Sequence, residues 1–427
     1  METFREELFP CVSLTAIRTE QFKTDFLSSV LLTQLRRETA ADNAVLPYVL
    51  RRGTTFLPDM AAVSARLDGL YGASLEPSVR KLGEIQAVGF RAQFMSDRFL
   101  PGETDVFHDM VELLSDLWLS PNTRGGLLLP DYVDSEREKL IDRIEAVKND
   151  RPAWARRRLV ENMCAYEDYA VDALGGAEEA KSIQYVKLTR SYRALLSSAP
   201  MEFFYCGSRS GREVADALKE AFLRLPRGEI DLDLGTDIRM NSLEEEPRTF
   251  VEEMDVTQGS LCMGFRLGGC MEDPDEAAIR VFNAVYGGSV TSRLFEIIRE
   301  KMSLCYYIYS SVDPLKGLML VSAGIDFEQF EAVREGVTAQ LESLRRGEIS
   351  PEELDAAKKD VASGLRTVSD SPAALEGFSL RETILGLDIT PDILAALAED
   401  VTAEQVAGIA RGVELDAVYF LKGEEQE

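Results

Sequence analysis

The sequence predicts an α+β fold of two duplicated domains, each a mixed, mostly antiparallel sheet packed with helices. Three observations lead there. A chain of 427 residues is too long for one ordinary core, since a domain takes about 150 residues. The chain also repeats itself: Gly53, Leu70 and Gly83 recur as Gly287, Leu304 and Gly317, each 234 positions later, as an internal duplication requires. Finally, strand-like runs that follow glycine or proline turns alternate with helical runs, the pattern of hairpins packed against helices.

From the N-terminus, Gln86 to Phe94 reads as the return arm of a hairpin turning at Gly83. Thr104 to Leu119 is a helix with Phe107, Met110, Val111, Leu114 and Leu117 on its inner face, and Glu136 to Val147 is another. A β-rich run closes the first half at Phe203–Gly207. Residues 226–247 carry prolines, glycines and many charges without an apolar period, which makes them a linker between domains at 1–225 and 248–427. Asp231, Asp233 and Gly235 superficially suggest a calcium loop, but the twelfth position is Ser242 rather than the required glutamate. Asp273-Pro274-Asp275-Glu276 opens a helix continued by Ile279, Phe282 and Val285. Leu318 to Ile325 returns from a turn at Pro314–Gly317, and Val418–Gly423 closes the second half. Met60 and Val63 map by the common offset onto Leu294 and Ile297, predicting one apolar helix face in both copies.

Acidic residues outnumber basic ones 74 to 47, a formal charge of −27. That field repels nucleic acid and anionic membranes and attracts basic peptides or a less acidic protein. A single histidine, His108, excludes a two-histidine metal motif and is expected on a helix surface, away from the apolar stripe. Six cysteines without a C-x-x-C read as reduced thiols of a cytosolic protein. No leader-like segment opens the chain and no apolar run reaches about 20 residues, so a cytoplasmic location is expected. Nucleotide loops and nucleophile elbows are missing from the sequence; no metal or other cofactor is expected.

One stretch carries a specific resemblance. Gly287-Gly288-Ser289-x-x-Ser292-Arg293-Leu294-Phe295, followed by Arg299-Glu300-Lys301-x-x-Leu304-x-Tyr306, resembles the second-domain signature of the insulinase, pitrilysin and mitochondrial processing peptidase superfamily. Phe250 to Leu267, with Asp255-Val256-Thr257-Gln258, is similar to the strand opening that domain, and Leu174-Gly175-Gly176 with Glu178 and Glu179 to a segment late in the first. The resemblance implies a two-domain chain forming half of a clamshell around an extended peptide. It also implies a zinc helix, H-x-x-E-H, whose imidazoles hold the metal and whose glutamate is the general base. Aligned through Arg52-Gly53-Thr54, those places hold Ala44, Pro47 and Tyr48, none of which does the corresponding job. Pro47 is expected to delay or kink the helix. The more distant ligand position corresponds to Glu136, which by itself reads as a solvated acid at a helix start.

The arginine and tyrosine that bind substrate in the family correspond to Arg299 and Tyr306, with Tyr307 as the other candidate because alternate strand residues face opposite ways. A guanidinium and a phenol can hold a peptide carbonyl and its developing oxyanion. The resemblance therefore implies a non-catalytic, substrate-binding subunit of a split heterodimeric zinc peptidase, working with a related zinc-bearing chain; the acidic balance adds that its peptide is basic. Within the superfamily the chain most resembles a bacterial branch linked to aminopentanol modification of elongation factor P. The alternative is a peptide-binding or scaffold protein without a peptidase partner, with a homodimer conceivable where that partner is absent.

Overall fold

The structure, a computed structural model, describes residues 2–102, 104–239, 241–242, 244, 246–268 and 275–424. The N-terminal half runs β1 (Glu2–Phe9), β2 (Val12–Arg18), β3 (Thr24–Gln34), α1 (Arg37–Leu50), α2 (Met60–Gly69), β4 (Ser74–Leu82), β5 (Ile85–Met95) and α3 (Val106–Leu119). It continues through β6 (Thr123–Arg124), β7 (Leu127–Leu128), α4 (Pro130–Ala146), α5 (Arg151–Met163), α6 (Ala177–Lys181), α7 (Tyr185–Ser198), β8 (Met201–Gly207) and α8 (Gly211–Ala221). The C-terminal half runs β9 (Arg248–Met254), β10 (Gly259–Arg266), α9 (Glu276–Asn283), a π-helical segment Leu294–Lys301, β11 (Tyr307–Asp313) and β12 (Leu318–Ile325). Then come α10 (Phe330–Arg345), α11 (Pro351–Val368), α12 (Pro372–Leu385), α13 (Pro391–Asp400), α14 (Ala403–Gly412) and β13 (Glu414–Gly423).

The duplication is visible in the sheets. One has the order β1-β2-β8-β3-β5-β4 and the other β11-β12-β10-β13-β9. Read from opposite ends they match strand for strand, with β1 as the addition in the first. In each, one pair is parallel (β2 with β8, β13 with β9) and the rest are antiparallel. Gly53 follows α1, and Gly287 lies in a short π-helical segment, Ala284–Gly288, that follows α9; both precede the next helical segment. Both places are crowded: a Cβ would lie 2.8 Å from the Leu57 carbonyl at Gly53 and 2.6 Å from Ser310 Oγ at Gly287. Gly83 and Gly317 turn the two hairpins with φ of 59° and 67°, the left-handed region that glycine enters without steric cost.

The helix face between these glycines does not keep the common offset. Val63 and Leu67 are the buried residues of α2, whereas Leu294 and Ile298 are buried in the second copy, and Met60 is 44% exposed. The second segment is wound as a π-helix, and its i→i+5 bonding changes which side chains share a face.

The compact units are not the two contiguous halves. The first comprises Met1–Glu145, Val171–Gly235 and Pro372–Arg381; the second comprises Ala146–Ala170, Thr236–Ser371 and Glu382–Glu427. Thus α5, from the N-terminal half, packs on β10 and β13 of the second unit. Leu159 and Met163 of α5 lie against Gly264, where any Cβ would sit 2.4 Å from Met163 Sδ. In return, residues 372–381 join the first unit, where Glu376, 1% exposed, binds Arg80 and Arg91 at 2.5 Å each. An amphipathic pattern shows that a helix buries one face; it does not say against which sheet. The Gly235–Thr236 boundary lies inside the expected 226–247 linker.

Smaller differences concern element ends. Helix α3 starts at Val106 with Asp105 as its cap, and α4 starts at Pro130, six residues ahead of the expected Glu136. Asp275 caps α9 by accepting from the Ala278 amide; the expected cap Asp273, with Pro274 and Cys270, lies outside the described residues. Phe250–Leu267 is two strands, β9 and β10, with β13 between them. Under the second sheet, fully buried Arg266 binds Glu167 at 2.7 Å and Asp416 at 2.9 Å, and Lys316 binds Glu167 at 2.6 Å. Among the described residues no helix is long and apolar enough to cross a membrane.

Candidate functional site

Helix α1 carries the three positions that the resemblance aligns with the zinc motif. It begins at Arg37 and continues through Pro47, whose carbonyl accepts from the Arg51 amide at 3.0 Å. The expected late start does not occur. Pro47 lies in the last turn, where its ring removes only the hydrogen bond to the Asn43 carbonyl. Ala44 is fully buried. The glycine pair late in the first half explains itself here: Gly175, at φ 74°, approaches so closely that a Cβ would meet the Ala41 amide at 2.6 Å.

Glu136 is 4% exposed and not a solvated acid. It lies in the second turn of α4, where Arg52 Nη1 donates to it at 2.9 Å and Lys139 Nζ at 2.8 Å, while Arg143 stands 3.7 Å away. Arg143 also lies over the Tyr48 ring, 3.8 Å from its centroid. Arg52 is steadied by Ser135 Oγ at 3.0 Å and by the Tyr132 ring. A carboxylate buried away from water needs paired charge and hydrogen bonds, and these cations provide both. The sequence contained the signal, since Lys139 and Arg143 follow Glu136 at helical spacing, but only folding shows that Arg52 and Tyr48 converge with them.

These residues do not fit a zinc ion. Ala44 has no donor atom, Pro47 has no carboxylate, the phenol of Tyr48 is covered by a guanidinium, and Glu136 already serves cations that would repel a metal. Among the described residues, no cluster of three or more histidine, cysteine or acidic side chains is placed to hold a metal.

In the second unit, the structure brings Arg299 and Tyr306 together. The π-helical segment ends beside Ser303, which adopts φ 53° and reverses the chain into β11. Across that turn Arg299 Nε donates to the Tyr306 carbonyl at 2.9 Å. The guanidinium also lies 4.6 Å from the centroid of the Phe295 ring and 3.1 Å from Glu300. Tyr306 is 59% exposed, and its hydroxyl donates to Asp326 at 2.8 Å. That bond raises the phenol's pKa, so the group stays a donor. Tyr307, by contrast, is half-buried and its phenol is pushed up to about 12, chiefly by burial. Of the two tyrosines, Tyr306 is the one presented to solvent.

Other candidates have structural roles. His108 lies on the surface with Nδ1 2.7 Å from the Asp105 carboxylate. Cys164, Cys206 and Cys262 are buried, and burial pushes the Cys305 thiol up to about 11, which is no environment for a nucleophile.

Known proteins resemble this chain in both fold and sequence. Residues 182–361 match the family described as Peptidase M16 inactive domain. The Bacillus subtilis strain 168 protein named "Probable inactive metalloprotease YmfF" is 30% identical over 411 residues, covering 96% of this chain and 95% of the relative. A second protein of that organism, the "Uncharacterized zinc protease YmxG", is 28% identical over 176 residues, 39% of this chain and 42% of its own. A conserved protein from Enterococcus faecalis V583 superposes with a TM-score of 0.88 at 26% identity, covering 100% of this chain and 99% of that one.

Proposed function

Because this chain belongs to the M16 peptidase family as an inactive member, we propose that it is the non-catalytic, substrate-binding subunit of a split zinc peptidase. The observation that carries the reading is the Arg299–Tyr306 pair: a guanidinium bonded to the tyrosine's own carbonyl, with the phenol exposed beside it. Donors held this way are preorganised, so binding a peptide carbonyl costs them little reorganisation. The hydrolytic step belongs to the partner chain. This chain's share is to orient the peptide and offer two donors to a carbonyl oxygen that gains charge. The formal charge of −27 steers basic peptides toward it, with an attraction that salt screens. The link to elongation factor P rests on sequence resemblance alone.

The test is reconstitution. A zinc-bearing M16 chain from the same organism, assayed with a basic peptide, is expected to turn over slowly alone and at least about tenfold faster with this chain added. Unchanged turnover, with no complex on size-exclusion chromatography, contradicts the proposal. One observation favours a scaffold without a peptidase partner: the Tyr306 hydroxyl already has an acceptor in Asp326, and Arg299 has Glu300 nearby. On that reading the chain binds peptide alone or pairs with itself, and sedimentation of the isolated protein separates those cases.

A further inference from the structure

The first unit contains a cavity of about 610 Å³ bounded by the end of α3, the β6–β7 hairpin and α7. This is the size range of sites for small organic ligands. Its buried lining is apolar and fixed. Leu128 and Leu196 are within a few per cent of full burial. The Tyr192 hydroxyl is committed to the Trp118 carbonyl, and the Thr189 hydroxyl joins the Leu128 amide to the Tyr185 carbonyl. These bonds hold the wall without leaving polar atoms in search of partners.

The exposed part of the lining is different. It carries Arg193 and Arg224 and, among the described residues, no acid. In a chain with 27 more acidic than basic residues, most arginines find carboxylates. These two do not. Among the described residues, Arg193 makes its hydrogen bond to the Gly126 carbonyl, and Arg224 makes neither a hydrogen bond nor an ion pair. Asp116 is close enough to feel Arg224 but makes no ion pair with it, and burial, then Glu112, raise its carboxyl from the ordinary value. Two guanidiniums with no carboxylate at ion-pair distance among the described residues, beside an apolar cavity, form the complement of one chemical class.

We propose that this cavity binds a small organic anion with an apolar body, of the kind represented by a medium-chain carboxylate. The apolar chain would lie against Leu128 and Leu196, and the carboxylate would take charge-assisted bonds from Arg193 and Arg224. Neither arginine takes part in the Arg299–Tyr306 pair, so this site and the peptidase reading stand or fall separately.

Isothermal titration of the full chain with decanoate, decanol and inorganic phosphate tests the assignment. Decanoate is expected to bind at one per chain, with decanol and phosphate at least about tenfold weaker, because each supplies only half of the recognition. Arg224→Gln, which removes no bond within the protein, is expected to weaken decanoate about tenfold, and Arg193→Gln/Arg224→Gln further, with the melting temperature of Arg224→Gln unchanged. Arg224→Lys, which keeps the charge, should retain most of the affinity. No saturable binding of decanoate, equal binding of decanol, or undiminished binding in the double variant overturns the proposal.

Discussion

The two halves of the chain match strand for strand in their sheets, yet they differ at the positions that the family resemblance singles out. On α1 in the first, the positions aligned with the zinc helix hold Ala44, Pro47 and Tyr48, and the Glu136 carboxylate is paired with Arg52, Lys139 and Arg143. In the second, half-buried Arg299 and exposed Tyr306 lie on either side of a turn, where Arg299 Nε donates to the Tyr306 carbonyl. A buried carboxylate needs paired cations. An arginine and a tyrosine that reach solvent carry no such requirement, and on the proposed reading they serve a bound peptide instead. The comparison implies a division of effects: substitutions around Glu136 should cost stability without affecting a partner, and substitutions at Arg299 or Tyr306 should do the reverse.

The largest effect is expected where charge is fully buried. Arg266→Met leaves Glu167 and Asp416 without their central cation and should cost about 3–5 kcal/mol in urea denaturation. A cost below about 1 kcal/mol would mean that the cluster is hydrated. Glu136→Ala should cost on the order of 2–3 kcal/mol, less because Lys139 and Arg143 are partly exposed. A variant that is unstable and yet activates a partner normally after refolding would confirm the division for the first unit. Grafting sharpens the same point. Ala44→His/Tyr48→His should bind zinc at least about tenfold more weakly than the same variant carrying Arg143→Ala, since the guanidinium otherwise occupies the approach to Glu136. Equal affinities by competition with a chelator would show that Arg143 is a bystander.

The smallest expected effects are those of pH, and they differ in sign between the units. Burial raises the Glu167 carboxyl, but the bonds from Arg266 and Lys316 outweigh it and hold the group below its ordinary 4.5. Its folded pKa is depressed, so the stabilisation is present at neutral pH and is lost as the pH falls below about 4.5. Burial dominates at Asp25, whose carboxyl is raised despite the Tyr205 hydroxyl bond. That group burdens the fold at neutral pH, and the burden lifts as acid protonates it. Denaturation midpoints between about pH 7 and pH 3 should therefore change less in Glu167→Gln than in the parent, and more steeply in Asp25→Asn. The opposite pattern would contradict both assignments.

Much of the fold was legible because duplication leaves a numerical trace. Gly53, Leu70 and Gly83 mark the turn and close-approach positions in one copy, and their counterparts mark them in the other, because such positions tolerate few residues. The helix between them was misread, since a π-type winding shifts the buried face from Val63 and Leu67 to Leu294 and Ile298. The exchange of α5 and residues 372–381 between units was not legible at all. Trp154, Leu159 and Met163 make an apolar face, but a face does not name its partner sheet. At the site, the absent zinc motif and the Arg299–Tyr306 spacing were legible only through the family resemblance. That Glu136 is buried under three cations could not be read, because Arg52 lies 84 positions away.

The division of labour is tested most directly by steady-state turnover of a zinc-bearing M16 partner reconstituted with this chain carrying Arg299→Ala or Tyr306→Phe. Tyr306→Phe removes only a hydroxyl from an exposed ring, and neither substitution opens a cavity. Melting temperature and complex formation should stay at the parent level while turnover falls by roughly 10²–10³, the usual effect of removing a preorganised donor to a developing oxyanion. Parent-level turnover in both variants, with the complex intact, would contradict the account and leave the chain as a shared scaffold whose exposed pair serves only its own turn.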